Sequence, residues 1–231
     1  MTRSGLRRTM IGAALTVALS TFALAPASAA SDPVVSWQTT ITEGASYVYG
    51  QVPAAPTCTA TVDLVAATCV VDGYADTVGA HTVTAWVDGT ATTSVMNYTV
   101  TGWTLKGFGK PVKMTGVNKV KAGATVPFKF KVYEGAVKAK AASVVASFTA
   151  QQYDCTTMAA IGAPLAVASS KKGFTLKYRD GAFHQNWKTP KQAKAAKVKV
   201  RGKKPAAATV CYAVTLTTQD ASTLTANFLL K

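Results

Sequence analysis

The sequence predicts an all-β protein: two small β-sandwich modules in tandem after a cleaved leader. Three observations carry this. Apolar and polar residues alternate with period two in the clustered segments, without the 3.6-residue period of an amphipathic helix. Turn signals such as Asp88-Gly89 and Asp180-Gly181 fall between the alternating runs. The charge also changes sign abruptly after Trp103, which divides the chain into an acidic module, residues 31–103, and a basic one, residues 104–231.

The first thirty residues carry Arg3, Arg7 and Arg8, an apolar run from Met10 to Leu24, then Pro26 and the small residues Ala27-Ser28-Ala29-Ala30. This is the pattern of a secretory signal peptide, residues 1–30, cut after Ala29 or Ala30. A transmembrane helix needs roughly 18 or more apolar residues, and this run is shorter. Arg7-Arg8 fits either the general secretory or the twin-arginine route. No later segment reads as a transmembrane span, and no cysteine follows the cleavage site to accept a lipid. The expectation is a secreted, extracellular protein, released or held at the cell wall by noncovalent contacts.

Strands follow in order. In the acidic module Tyr47 to Val52 and His81 to Val87 alternate, and Asp88-Gly89 sits where a tight turn would lead into Thr92 through Thr101. Val83, Ala85 and Val87 share one face; Thr82, Thr84 and Trp86 share the other. In the basic module Phe128, Phe130 and Val132 alternate with Lys129, Lys131 and Tyr133, a half-buried strand with a lysine-bearing wet face. Phe174-Leu176-Tyr178 and Phe183-Gln185-Trp187 flank Asp180-Gly181 as a second hairpin. Leu224 to Leu230 alternates to the penultimate residue, so trimming a few C-terminal residues should remove a strand.

Cys58, Cys69, Cys155 and Cys211 are an even set in an oxidising compartment, which favours disulfides. Three pairings exist on paper. Cys58 with Cys69 and Cys155 with Cys211 is the simplest, leaving one bridge in each module, and the chain-entropy model assigns such loops roughly 3 and 4 kcal/mol. Zinc would ask for CxxC spacing and a histidine nearby, and neither is present.

Charge is the most informative bulk property. Of 25 basic residues, three belong to the leader. The acidic module has no Lys or Arg and a net charge of −6; the basic module has 22 basic residues against Glu134, Asp154, Asp180 and Asp220, a net charge of +18. Opposite charge on tethered modules raises the expectation that the acidic half covers part of the basic face at low salt.

Catalysis is not expected. A nucleophile needs a base within hydrogen-bond reach, and the two histidines read as structural (His81) and as a solvated strand residue (His184). Converging carboxylates, a phosphate loop and a calcium loop are all missing, so no cofactor and no metal are expected. The lysines have two readings: solubility and protection of sheet edges, or a surface for anionic polymers outside the cell. Nucleic acid would use the same attraction, but nothing resembles a reading module, so no specific nucleic acid is expected. Lysine outnumbers arginine 20 to 2 in the basic module, which suits diffuse, salt-sensitive attraction over bidentate recognition.

Two stretches resemble known families. Val52-Pro53-Ala54-Ala55-Pro56-Thr57-Cys58, Cys69-Val70-Val71-Asp72-Gly73-Tyr74 and Val78-Gly79-Ala80-His81-Thr82-Val83-Thr84-Ala85 resemble bacterial extracellular immunoglobulin-like repeats. This implies a sandwich of about seven strands with a stalk or adhesion-type role. The basic module resembles the PxKF domain of secreted bacterial proteins through Gly107-Phe108, Pro111-Val112, Asn118-Lys119-Val120-Lys121-Ala122-Gly123, Val126-Pro127-Phe128-Lys129-Phe130, Trp187-Lys188-Thr189, Cys211 and Leu224-Thr225-Ala226-Asn227-Phe228. That resemblance implies an architecture and no particular chemistry.

Two departures mark candidate contacts. Where the PxKF pattern has a short link, this chain inserts Lys191, Lys194, Lys197, Lys199, Arg201, Lys203 and Lys204, either a cationic β-ribbon or an Ala/Lys-rich loop. Trp86 stands where the repeats carry a small polar residue. The expected polyanion contacts are therefore Lys129, Lys131 and the insertion, acting on anionic cell-envelope polymers. The alternative is an adhesion protein meeting a protein partner through Trp86.

Overall fold

The computed structural model describes residues 32–167, 175–191 and 210–231. The leader, Phe174, and Lys194, Lys197, Lys199, Arg201, Lys203 and Lys204 of the insertion lie outside the described residues.

The first seven strands are β1 (Val34–Gln38), β2 (Ala45–Val48), β3 (Thr57–Val62), β4 (Val65–Ala67), β5 (Cys69–Asp72), β6 (Gly79–Val87) and β7 (Thr93–Thr101). They form a three-stranded sheet, β1-β3-β4, and a four-stranded sheet, β2-β7-β6-β5, in which β2 runs parallel to β7. The chain crosses from one sheet to the other between β4 and β5, and the Cys58–Cys69 disulfide pins the two sheets together at that crossing. Val83, Met96, Tyr98 and Val100 fill the space between the sheets, with Trp37 closing over them and donating from Nε1 to Oγ of Ser94 at 2.9 Å.

Two local expectations are corrected here. The β6–β7 connection is not a two-residue turn: Trp86 pairs with Thr93, and the carbonyl of Val87 accepts from both the amide and the hydroxyl of Thr90, at 3.1 and 2.9 Å, closing a wider loop. The strand read as Tyr47 to Val52 is β2, ending at Val48. Gly50 takes a positive φ of 81° there, and the Gln51 amide turns back onto the Val48 carbonyl.

The remaining strands are β8 (Thr104–Lys106), β9 (Val117–Val120), β10 (Thr125–Glu134), β11 (Val137–Lys138), β12 (Val145–Tyr153), β13 (Ala160–Ala166), β14 (Lys177–Arg179), β15 (Ala182–Lys188), β16 (Val210–Thr218) and β17 (Thr223–Leu230). One sheet runs β11-β10-β15-β14 with β8 on β10; the other runs β13-β12-β16-β17-β9, with β9 parallel to β17. The core between them is aromatic. Phe128 meets Phe148 and Phe228 of the opposite sheet with ring centroids at 5.1 and 5.7 Å, and Trp187 meets Phe228 at 5.2 Å. Each such ring stabilises by roughly 1.5–3 kcal/mol through burial alone. Cys155–Cys211 closes the end of β12 onto β16, so both bridges follow the local pairing.

Several residues of the blocks singled out in the basic module have structural roles here. Phe128 and Phe130 are fully buried. Asn118 is buried; its side chain accepts from the Lys113 amide and donates to the carbonyls of Lys113 and Asn227. The Thr189 hydroxyl donates to the carbonyl of Ala124 at 2.9 Å, tying β15 to the turn before β10. β17 lies inside its sheet, between β16 and β9, and Phe228 and Leu230 are buried.

Only Gly102 and Trp103 separate β7 from β8. The indole of Trp103 donates to the Tyr49 carbonyl at 3.1 Å and meets the Tyr49 ring edge-on at 5.6 Å, while its amide donates to Oδ2 of Asp220 at 2.5 Å. Gly102 leaves room for this close approach: a Cβ there would sit 2.9 Å from Asp220 Oδ2 and Ser222 Oγ and would push those side chains aside. Asp220 is buried, and burial alone would raise its pKa. The hydroxyls of Ser222 and Thr218 and the amides of Trp103 and Ser222 outweigh that and hold the carboxyl below the usual carboxylate range.

Asp220 should therefore act as a clasp between the two sandwiches. A folded pKa below the unfolded one means the contribution is complete above the ordinary value of 3.8 and is lost as the pH falls below it. Asp220→Ala should cost about 2–4 kcal/mol, because buried donors lose their acceptor. Denaturant unfolding should show that loss at neutral pH and little difference between variant and parent in strong acid.

A cationic sheet face as candidate functional site

In antiparallel pairs, directly opposed residues share a face. On β10 the inward set is Val126, Phe128, Phe130 and Val132, which leaves Lys129, Lys131 and Tyr133 outside. The register then assembles the rest: Lys131 lies opposite Lys106, Tyr133 opposite Lys138, and Lys129 opposite His184, which in turn lies opposite Lys177. Arg179 and Lys188 complete the face from β14 and the end of β15. Seven basic side chains thus share one sheet surface.

The hairpin that carries Lys177 and Arg179 is set by Asp180-Gly181. Arg179 pairs directly with Ala182, and both turn residues have positive φ, 50° and 72°, as a type I′ turn requires. Tyr133 sits between two ammonium groups, with Nζ of Lys106 at 5.3 Å and of Lys138 at 5.9 Å from its ring centroid. These contacts spread positive charge over an aromatic face without neutralising it.

Two cavities open onto this face. One, of about 300 Å³, is lined by Lys106, Gly107, Gly109, Lys129, Phe130, Lys131, Asp180 and Ala182. The other, of about 230 Å³, is lined by Thr175, Lys177, Arg179, His184 and Asn186. A larger cleft of about 600 Å³ lies between the β9 and β10 edges, lined by Lys113, Val117, Lys119 and Pro127 among others. Pro127, with no N–H to offer, stands on β10 beside that cleft, which suits a guarded edge more than a strand-docking groove.

The sequence reads His184 as a solvated strand residue. It does face outward, but it is only half exposed, and Nε2 is sealed from solvent with no hydrogen-bond partner. Burial pushes its imidazole below the usual pKa, and the charges of Arg179 and Lys129 push the same way. A hydrogen bond to the Arg179 backbone and the charge of Asp180 oppose them. His81 has the structural role expected: Nε2 donates to the Thr77 carbonyl at 2.5 Å and the ring packs on Tyr98.

The structure brings Lys129 and Lys131 together on this face, and adds Lys106, Lys138, Lys177, Arg179 and Lys188, which sequence reasoning does not single out. The lysines at 177 and 188 carry the right signal, since they alternate with Tyr178 and Trp187. Lys191 is exposed, with its side chain over the Gly123 turn. Trp86 is half-buried on the outer face of β6, between Val70 and Thr93. Among the described residues no group of three or more His, Cys, Asp or Glu could hold a metal, and no helix is long and apolar enough to cross a membrane.

No family model and no curated protein matches the chain. It aligns with solved structures of multi-domain chains. A titin fragment, an E-to-A variant of domains I67–I69, is 12% identical with TM-score 0.28, covering 86% of this chain and 65% of that one. Three N-terminal domains of the Highly Immunogenic Outer Capsid protein of bacteriophage RB49 are 12% identical with TM-score 0.30, covering 86% and 70%. Extracellular domains 3–5 of Drosophila OTK are 10% identical with TM-score 0.25, covering 84% and 61%. Scores of this size leave the fold class to rest on the four sheets themselves, which are those of two all-β sandwiches.

Like charges directly opposite across a sheet are destabilising. Lys131→Thr should therefore stabilise the protein by about 0.2–1 kcal/mol at low ionic strength. The gain in melting temperature should shrink as salt is added. An unchanged or lower melting temperature would show that the Lys106–Lys131 opposition carries no cost.

Proposed function

We propose that this is an exported, non-catalytic protein that docks on anionic polymers of the cell envelope through the cationic face of its second sandwich. The observation that supports this is the segregation of charge between two sheets of one module. The β8/β10/β11/β15/β14 sheet carries seven basic groups outside, whereas the outer face of the β13/β12/β16/β17/β9 sheet presents Thr149, Gln151, Thr215, Thr225 and Asn227, with Lys119 on the β9 edge as the one basic residue of its strands. Lysines kept for solubility would serve equally well on both faces. Placing them on one, two of them directly opposed, costs stability and gains a concentrated field.

The fold and the two disulfides suit an extracellular setting. The PxKF resemblance adds the context of secreted bacterial proteins, and wall polymers or anionic headgroups are the abundant polyanions there. Lys191 and the rest of the insertion extend this reading as further contacts, with the face as its centre.

A second reading rests on Trp86. It stands on the outer face of β6 with Val70 beside it and Val95, one strand over, 50% exposed, while Asp72 lies further along the same face. An aromatic anchor in such a setting suits a protein partner and an adhesion role.

Cosedimentation with purified cell walls across a salt series separates the two. The polymer reading expects at least tenfold weaker binding between roughly 50 and 200 mM salt, and loss of binding when the anionic polymers are stripped from the walls. Lys129→Glu/Lys131→Glu should abolish binding, while Lys119→Glu, on the β9 edge, should leave it nearly intact. Salt-insensitive binding that Trp86→Ala removes would overturn the polymer reading in favour of the protein partner.

A further inference from the structure

Trp103 on Tyr49 and Asp220 on the Trp103 amide hold the two sandwiches together, and Val48 lies close to Gly135 in the β10–β11 turn. None of these contacts pairs an acid of the first module with a base of the second. Gly102 and Trp103 alone link β7 to β8, and two residues span at most about 7 Å. The first module therefore meets the end of the β8/β10/β11 sheet and leaves the cationic outer face of that sheet open.

The outer face of the β2-β7-β6-β5 sheet is its complement. Trp86 lies between Val70 and Thr93, and Thr84 on the same strand lies between Asp72 and Val95. Glu43 stands beside β7, where its carboxylate accepts from the amide and side chain of Asn97 at 2.7 and 3.2 Å, and Asp88 follows the end of β6. All three acids are exposed, and the module has no Lys or Arg. An apolar centre is thus flanked by carboxylates, whereas the cationic face has an aromatic ring flanked by ammonium groups. Lys106 and Lys138 already lie over Tyr133, and an indole attracts such groups more strongly than a phenol.

We infer that the Trp86 face of one chain docks on the cationic face of a second copy, joining the first sandwich of one to the second sandwich of the other. The inference rests on the protein-partner reading of Trp86 and names that partner. It is independent of the polymer reading, since a polymer on the cationic face would displace the second copy. The chain as a whole is strongly basic, with a formal charge of +15. Only charges within the screening length, about 10 Å at 0.1 M salt, act strongly across the contact, and those are of opposite sign. The contact is heterologous, because the two surfaces differ.

Its size sets its strength. Four strands at roughly 4.8 Å and the nine residues of β6 at roughly 3.3 Å give a face of at most about 600 Å². That is at the low end for specific interfaces, so the association is weak and reversible.

Sedimentation equilibrium of the exported chain, from about 10 μM to about 1 mM, spans the affinities of such small contacts. At about 0.1 M salt the mass should exceed that of the monomer and rise with concentration. It should return to the monomer at about 0.5 M, where the screening length is about 4 Å. Trp86→Thr alone and Lys129→Glu/Lys131→Glu alone should each stay monomeric. An equimolar mixture of the two should associate as pairs, because each retains the surface that the other lacks. A variant that failed to fold would not restore association in this way.

A parent protein that stays monomeric at about 1 mM and about 0.1 M salt overturns the inference. Trp86-dependent capture of that monomer on cell walls would still support the protein-partner reading. Association of the Lys129→Glu/Lys131→Glu protein by itself, or a mixture that stays monomeric while the parent associates, overturns the pairing of these two faces.

Discussion

Period-two alternation along β10 is the constraint on which the second sandwich depends. Phe128 and Phe130 point into the core and reach rings of both sheets, including Phe148, Phe183 and Phe228. The same pleat forces Lys129 and Lys131 outward. A shift of one residue would bury two ammonium groups and expose two phenyl rings, so the register is fixed by the core. Because β8, β11 and β15 pair with this strand, their outward residues inherit that register, and the cationic face follows from the packing of the hydrophobic one.

The buried polar groups show where packing alone does not specify the structure. Gln185 lies in the core side of β15, fully buried, donating from Nε2 to the carbonyls of Val167 and Asn186 while Oε1 accepts from the Thr175 amide. It fastens β15 to two other chain segments, at Val167 and Thr175. Asp220 acts in the corresponding way between the sandwiches. Its four hydrogen bonds converge where Gly102 lets the backbone approach, so the modules are joined by directed short-range contacts at Trp103. Such contacts orient one module against the other more narrowly than the attraction of a −6 half for a +18 half could.

The cationic face combines the two themes. Opposed lysines in the middle of a sheet cost stability, and the aromatic core beneath them supplies the rigidity to hold them in place. Lysine suits such a surface because its hydrated point charge accepts many geometries, while Arg179 at one corner adds a directional fork of donors.

Much of this was legible in the amino-acid order. Alternation around Phe128–Lys131, the break in charge at Trp103, the Asp180-Gly181 turn and the local cysteine pairs are short-range properties, and the structure has them as the sequence implies. The wider β6–β7 loop was not legible, because it depends on which carbonyl Thr90 reaches. Nor was the full cationic face, since Lys106, Lys177 and Lys188 belong to strands distant in the chain that meet Lys129 and Lys131 only through register. His184 shows the difference most sharply. Its outward direction follows from neighbours in the sequence, but the burial of Nε2 and the charges of Arg179 and Lys129 beside it come from adjacent strands. The sequence by itself determined the all-β class, the charge division and, along strands such as β10 and β15, the direction in which the side chains point. Only the tertiary structure decided which of those side chains share a surface, because cross-strand pairing joins residues whose separation along the chain carries no information about their separation in space.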